Sequence, residues 1–327
     1  MNTINASIIA IGGYVPETVL SNTDLEKMVD TSDEWITSRT GIKERRILDD
    51  PTLATSDMAA FAVKDLMKNY AIDPLDVDCV ILATSTPDRI LTPAASLVCE
   101  KAGLKNAWGF DLNSACSGFL YALSVGASFI ESGRYKNVIV IGADKMSSIV
   151  NYEDRNSCIL FGDGAGAVLL RPNTEGRGIQ QNIFRTDGTG AEYLTVRAGG
   201  SLLSTSEETI HNKQHFVQQE GRTVFKQAVK NMSGTSKELM EKASLTPEMV
   251  DWVIPHQANL RIIQAVSEDI GIGIDKFKIN IQRYGNTTAA TIPLCLWDFK
   301  NDFKKGDNII VTAFGAGFSW GSMHIKW

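Results

Sequence analysis

Short apolar runs rich in β-branched residues recur along the chain, at 77–83, 138–141, 250–254 and 309–312, separated by helical stretches. That alternation predicts buried parallel strands covered by helices. The stretch 117–130 is apolar nearly all round, with Phe119, Leu120, Leu123, Val125, Phe129 and Ile130. A helix without a polar face belongs inside the protein, between layers. Residues 6–11 predict a first strand, interrupted by Gly12-Gly13. Near the end, Met323, Ile325 and Trp327 alternate with Ser322, His324 and Lys326, as in a half-buried strand. His324 is then expected on the surface.

The pattern repeats. Leu66-Met-Lys-Asn-Tyr-Ala-Ile-Asp-Pro74 is echoed by Leu239-Met-Glu-Lys-Ala-Ser-Leu-Thr-Pro247. Val77-Asp-Cys-Val-Ile81 and Val250-Asp-Trp-Val-Ile254 keep the offset that separates Leu66 from Leu239. Cys116 and Thr287 then open apolar helices, about equally far beyond Val77 and Val250. A constant offset with a consistent sequel predicts a duplicated α/β unit, with halves at 1–174 and 175–327. A five-layer α-β-α-β-α stack with one buried helix per half satisfies the pattern.

Composition narrows the class. The 327 residues are 43% hydrophobic and 21% charged, which excludes a disordered or collagen-like chain. Net charge is -6 with no long basic run, which argues against nucleic acid as a partner. The five cysteines (79, 99, 116, 158, 295) include no C-x-x-C pair, so neither a disulfide framework nor a zinc site is expected. Met1-Asn-Thr-Ile-Asn carries no basic leader and no apolar stretch is long enough to span a membrane. The expectation is a reduced, soluble, cytoplasmic protein.

Cys116 lies in Asn113-Ser-Ala-Cys-Ser-Gly118, where a strand-like run gives way to the buried helix. A thiol at a helix N-terminus is expected to have a lowered pKa, as a nucleophile requires. A small residue packed at a helix start is the alternative. His256 follows a strand in Pro255-His-Gln-Ala-Asn259, at the carboxyl end where α/β proteins place site residues. Asn286, in Tyr284-Gly-Asn-Thr-Thr288, opens the second-half helix, where a plain N-cap is the alternative. If a pseudo-twofold relates the halves, Cys116 and Asn286 share one pocket and His256 approaches beside them. Phe314-Gly-Ala-Gly-Phe318 has the small residues that let backbone N–H groups approach a substrate oxygen.

Two patterns point elsewhere. Gly162-Asp-Gly-Ala-Gly-Ala167 fits a dinucleotide fingerprint, but Val168-Leu-Leu170 reads as a strand where that fingerprint needs a helix. Close backbone packing at the core or a dimer edge is expected instead. His211 and His215 have helical i, i+4 spacing but no third ligand nearby.

Taken together, Val29-Asp-Thr-Ser-Asp-Glu-Trp-Ile, Arg39-Thr-Gly-Ile-Lys-Glu-Arg45, Ser114-Ala-Cys-Ser-Gly-Phe, Phe161-Gly-Asp-Gly-Ala-Gly, Pro255-His-Gln-Ala-Asn-Leu-Arg261, Gly285-Asn-Thr-Thr-Ala-Ala and Gly315-Ala-Gly-Phe-Ser-Trp-Gly321 resemble β-ketoacyl-acyl-carrier-protein synthase III. The resemblance runs from first strand to last. It implies the thiolase-like fold, a homodimer and a catalytic triad of Cys116, His256 and Asn286. It also implies condensation of a short acyl-CoA with malonyl-acyl-carrier protein, without a cofactor or metal. The N–H groups of Cys116 and Ala316 match the family's oxyanion hole, and Phe314 its aromatic beside the triad. Trp35 and Arg155 match the pair that sandwiches the CoA adenine, Arg39 a phosphate-side contact and Asn259 a polar residue by the pantetheine tunnel. Lys226 and Arg261 match carrier-protein docking positions. The chain departs from some relatives at Glu268-Asp269 and around Gly221-Arg222, and the loop 86–93 leaves primer size open.

The rival readings are an acyltransferase of secondary metabolism on the same fold, a papain-like hydrolase and a non-enzymatic acyl-CoA-binding module. A papain-like enzyme wants its cysteine near the N-terminus in a C-G-S-C-W context, which this chain lacks.

Overall fold

The computed structural model describes residues 4–327, so the leader reading at Met1, Asn2 and Thr3 lies outside the described residues. The first sheet has five strands in the order Asn5–Tyr14, Gly164–Asn173, Val138–Asp144, Cys79–Ala83, Trp108–Leu112. Cys79–Ala83 pairs in parallel with both neighbours, and the other two pairings are antiparallel. The second sheet runs Gly178–Thr186, Ser319–Lys326, Asn308–Gly315, Trp252–Pro255. A parallel bridge between Val253 and Phe277 stands where the first sheet has its fifth strand. The two sheets therefore share one strand order and one pattern of directions.

Two helices lie between the sheets, Gly118–Glu131 and Thr291–Asp298. Phe119, Leu120 and Leu123 of the first and Ile292, Cys295 and Leu296 of the second share a core with Ile81, Val140, Ile254 and Val311 from the sheets. Successive side chains of a strand face opposite ways. Val80, Leu82 and Ile139 accordingly pack outward, against Met58, Leu66 and Val98 of the helices Thr55–Tyr70 and Ala94–Ala102. Val253 and Ile310 do the same against Met232, Leu239, Ile263 and Val266 of Gly221–Lys242 and Leu260–Ile270. The result is the five-layer α-β-α-β-α stack. Among the described residues no helix is long and apolar enough to cross a membrane.

Three local expectations need correction. The first strand continues through Gly12 and Gly13 to Tyr14. The second buried helix does not open at Thr287: a 3-10 turn spans Thr288–Ala290 and the α-helix begins at Thr291. The first half has the same device, a 3-10 turn over Ala115–Ser117 before Gly118, so turn and helix keep the offset set by Leu66 and Leu239. The last strand is buried on both faces. Ser322 contacts the hydroxyls of Thr235, Ser236 and Thr312, and His324 is 6% exposed with Nε2 3.1 Å from Asn308 Oδ1. The long helix Gly221–Lys242 supplies the covering layer, which a two-residue alternation could not reveal.

The Gly162–Ala167 pattern runs into the strand Gly164–Asn173, as expected. A Cβ on Gly166 would stand 2.7 Å from the Pro293 carbonyl carbon, so the glycine lets strand and buried helix touch. The helix Glu207–His211 ends before His215, which removes their helical spacing.

Candidate active site

Cys116 sits in the 3-10 turn Ala115–Ser117, at the inner end of the buried helix. Ala115 before it has φ 46°, and Thr288, its counterpart in the second half, has φ 54°. The two turns are thus bent alike, and each aims its helix N-terminus toward the junction of the sheets. Burial, with the Asp144 carboxylate, pushes the Cys116 thiol up to about 12. That is opposite to the lowering expected at a helix N-terminus. Cys116 is only 5% exposed, and desolvation of the thiolate outweighs the dipole. It therefore rests as a thiol whose proton must leave during attack.

His256 follows the strand Trp252–Pro255, its backbone N–H donating to Thr312 O at 2.8 Å. Its Nδ1 is 2.7 Å from Thr291 Oγ1. Burial drives the imidazole down to about 3, so the ring is neutral across the physiological range. Asn286 is fixed on both sides. Its N–H donates to Leu160 O at 2.8 Å, and its Oδ1 accepts the Thr288 N–H at 2.9 Å. The carboxamide oxygen is thereby occupied, leaving the NH2 group to face outward as a donor.

One cavity of about 180 Å³ is lined by Cys116, His256, Asn286 and Phe314, and also by Asn259 and Trp35. A second, of about 280 Å³, meets it at Cys116 and is walled by Met146, Ile149, Val196, Val217 and Ala316. Ser85, Asn113, Thr195 and Thr288 also line the second cavity, and Cys116 stands between the two. Gly315 closes against it: a Cβ there would lie 2.8 Å from Cys116 N and 3.1 Å from Ser117 N. Ser319 Oγ is 2.7 Å from Ser117 Oγ and 3.0 Å from Ala316 O, tying the glycine loop to the cysteine turn.

The sequence profile of 3-oxoacyl-[acyl-carrier-protein] synthase III matches residues 110–188, and that of its C-terminal part residues 240–327. β-Ketoacyl-[acyl-carrier-protein] synthase III 2 of Bacteroides thetaiotaomicron is 54% identical over 327 residues, covering 100% of this chain and 98% of its own. The chain belongs to the β-ketoacyl-acyl-carrier-protein synthase III family. The synthase III of Phocaeicola vulgatus is also 54% identical, with the same coverage. Among solved structures, the 3-oxoacyl-[acyl-carrier-protein] synthase III of Aquifex aeolicus superposes with a TM-score of 0.90 at 43% identity, covering 98% of this chain and 100% of that one.

The remaining positions named from the synthase III resemblance fall at the outer end of the tunnel. An open recess is lined by Trp35, Arg39, Arg222, Phe225, Asn259 and Arg261. Arg155 lies over the Trp35 ring, its guanidinium carbon 4.9 Å from the centroid, and donates to Asp30 O. The two groups are in direct contact, so a base entering between them must first part them. Asn259 caps the helix Leu260–Ile270 through its Oδ1 and donates to Arg39 O at 3.0 Å. Arg261 covers Phe225, and Lys226 beside it is exposed. Phe314 packs on Phe318, ring centres 4.8 Å apart.

Sequence reasoning missed two site residues. Thr291 touches His256 from a distant part of the chain, and no local motif couples them. Asp144 is fully buried at the end of its strand. It accepts the N–H groups of Ser85, Thr86 and Ala289 and the hydroxyls of Thr84 and Thr86, and burial raises it to about 6. Only the aspartate closing the apolar run 138–143 signalled it.

Proposed function

We propose that this synthase III condenses a short acyl-CoA, acetyl-CoA or a branched primer, with malonyl-acyl-carrier protein, and so initiates fatty acid synthesis. The products are 3-oxoacyl-carrier protein, CoA and CO2. The observation that carries the reading is the single cavity in which Cys116, His256, Asn286 and Phe314 meet, with Asn259 and Trp35 on the same wall.

In the first half-reaction the Cys116 sulfur attacks the thioester carbonyl. The thiol proton leaves with the CoA sulfur, so no net base is consumed. The oxyanion rests on the N–H groups of Cys116 and Ala316. The second cavity beside Cys116, on its Met146, Ile149, Val196 and Val217 side, takes the acyl chain, and its size sets the primer.

In the second half-reaction malonyl-carrier protein loses CO2 and leaves an enolate on its thioester oxygen. The neutral His256 ring and the Asn286 amide donate to that oxygen. Neutral donors stabilise a charge present only near the transition state without holding the carboxylate of the ground state. Phe314 keeps the carboxylate's surroundings apolar, which favours its loss. The carbanion then attacks the acyl-Cys116 carbonyl, and the departing thiolate takes up one proton from solvent to restore the thiol. A second cysteine for α-proton removal, as thiolases use, is absent from the glycine loop 314–318. The reaction as written needs no cofactor or metal.

Trp35 and Arg155 would clasp the adenine, Arg39 the phosphates, and Lys226 and Arg261 the acidic carrier protein. We take the halves 1–174 and 175–327 as duplicated units, a division supported by their common strand order. The protein is read as a cytoplasmic homodimer without nucleic-acid or membrane partners. The outer edge of Trp108–Leu112 pairs with no strand among the described residues, and with Trp108 44% exposed it supports strand pairing with a second copy. Full-length relatives carrying the synthase III name favour condensation over acyl transfer to an oxygen or nitrogen acceptor. Mass analysis of malonyl-carrier protein incubated with the enzyme and acetyl-CoA tests the reading. A 3-oxobutanoyl carrier is expected, and an unchanged carrier with consumed acetyl-CoA would contradict it.

A further inference from the structure

The condensation proposed above asks His256 to donate from Nε2, and a neutral imidazole carries only one N–H. The group that decides which nitrogen holds it is a threonine hydroxyl. His256 Nδ1 is 2.7 Å from Thr291 Oγ1, and that oxygen is 3.0 Å from Thr288 O. Nε2 has no partner among the described residues, while His256 lines the cavity that holds Cys116 and Asn286. The Thr291 hydroxyl has one proton and two neighbours able to accept it. If it goes to Thr288 O, Nδ1 must be the donor and Nε2 presents only a lone pair to the substrate. If it goes to Nδ1, Nε2 carries the hydrogen.

Two observations choose between these. Thr288 O already accepts the Thr291 backbone N–H, so it is satisfied without the hydroxyl. The distances agree: hydroxyl donors favour about 2.7–2.8 Å and ring N–H donors about 2.9–3.0 Å. The contact to Nδ1, at 2.7 Å, is the shorter of the two and matches a hydroxyl donor, while the 3.0 Å to the carbonyl lies at the long end of the hydroxyl range. We infer that Thr291 is a positioning residue that donates its hydroxyl proton to Nδ1 of His256 and so fixes the Nε2–H tautomer used in decarboxylation. Thr291 opens the buried helix Thr291–Asp298 and Asn286 precedes the same turn, so one rigid element sets both donors.

The inference rests on the proposed reaction for its purpose, but its first readout does not. The chain holds four histidines, and in protein labelled with 15N-histidine the ring resonances of His256 report the tautomer directly. Assignment comes from the loss of one set in His256→Gln or its shift in Thr291→Val. The expected spectrum has a protonated Nε2 and an unprotonated Nδ1. A proton on Nδ1 in the wild type overturns the inference, whether or not the enzyme condenses.

Kinetics supply the second readout. Thr291→Val removes the hydroxyl at nearly constant volume and leaves Cys116 untouched. Acylation by acyl-CoA is expected to stay within about twofold. Malonyl-carrier decarboxylation by the acylated enzyme should fall by at least about tenfold through kcat, approaching the roughly 10²–10³-fold of a removed donor as the Nε2–H population is lost. Thr291→Ser should restore it. Equal losses in both half-reactions, or a Thr291→Val protein that decarboxylates at the wild-type rate, would overturn it as well. A wild type that forms no product defeats the reaction, and the ring spectrum still decides the tautomer.

Discussion

The Asp144 carboxylate accepts the Ala289 N–H at 3.0 Å, and Ala289 occupies the position in the second half that Cys116 occupies in the first. Each residue is the second of a 3-10 turn that precedes a buried helix, after a residue of positive φ. In one half the N–H at this position is taken by a built-in carboxylate oxygen. In the other, the glycine loop at Gly315 leaves the corresponding N–H beside a cavity. The molecule thus carries its own illustration of an anion seated at that turn, which supports placing the thioester oxyanion on the Cys116 N–H.

Asp144 also joins that turn to the Ser85–Thr86 backbone and raises the Cys116 thiol. Asp144→Asn presents an NH2 group to donors that need an acceptor, which costs about 1–3 kcal/mol. Urea unfolding should show that loss. The same variant should shift Cys116 alkylation by iodoacetamide toward lower pH, because a repelling charge is gone. An unchanged alkylation profile would remove Asp144 from the account of the thiol.

The Trp35–Arg155 contact predicts a substitution effect that depends on the substrate. Trp35→Ala should raise KM for acyl-CoA about tenfold, in keeping with a partly desolvated cation–π and stacking site. It should leave a truncated acyl-pantetheine thioester, which lacks the adenine, nearly unaffected. Equal losses on both thioesters would place Trp35 in the fold of the tunnel wall rather than at the nucleotide.

His324 and His256 are buried neutral, held at about 4 and about 3. Burial is the cause for both, and Lys326 adds to it at His324. The unfolded chain binds their protons below about pH 6.5, so stability falls as pH drops from there toward the folded values. Asp144 acts in the opposite sense, since its raised pKa relieves the fold as pH falls below about 6. His324→Gln keeps a donor for Asn308 without the titration. Its melting temperature should fall less steeply than that of the wild type as the pH is lowered from neutral to about 4. Parallel curves would contradict the assignment.

The layers were legible in the sequence because strands and helices here bury what their periodicity advertises. Residues 117–130 are apolar nearly all round and do lie between the sheets. The shared strand order of the two sheets was foreshadowed by the Val-Asp pair that precedes Cys79–Ala83 and Trp252–Pro255 alike. The motifs around Cys116, His256 and Asn286 pointed to these three positions, and they do line one cavity. What escaped depends on contacts between distant segments. The pKa of Cys116 follows from burial and from Asp144 on a separate strand, neither of which a helix-terminus argument contains. His324 reads as a surface residue until the helix Gly221–Lys242 covers its strand. Thr291 gains meaning only when the second sheet brings His256 against it.

In the proposed condensation Cys116 carries the acyl group between the two substrates. Intact mass of the wild type and of Cys116→Ala, after incubation with a mixture of short acyl-CoAs, tests it most directly. One acyl adduct is expected on the wild type and none on the variant, the adduct's mass naming the preferred primer. An adduct that persists on Cys116→Ala, or no adduct on a folded wild type, would contradict it.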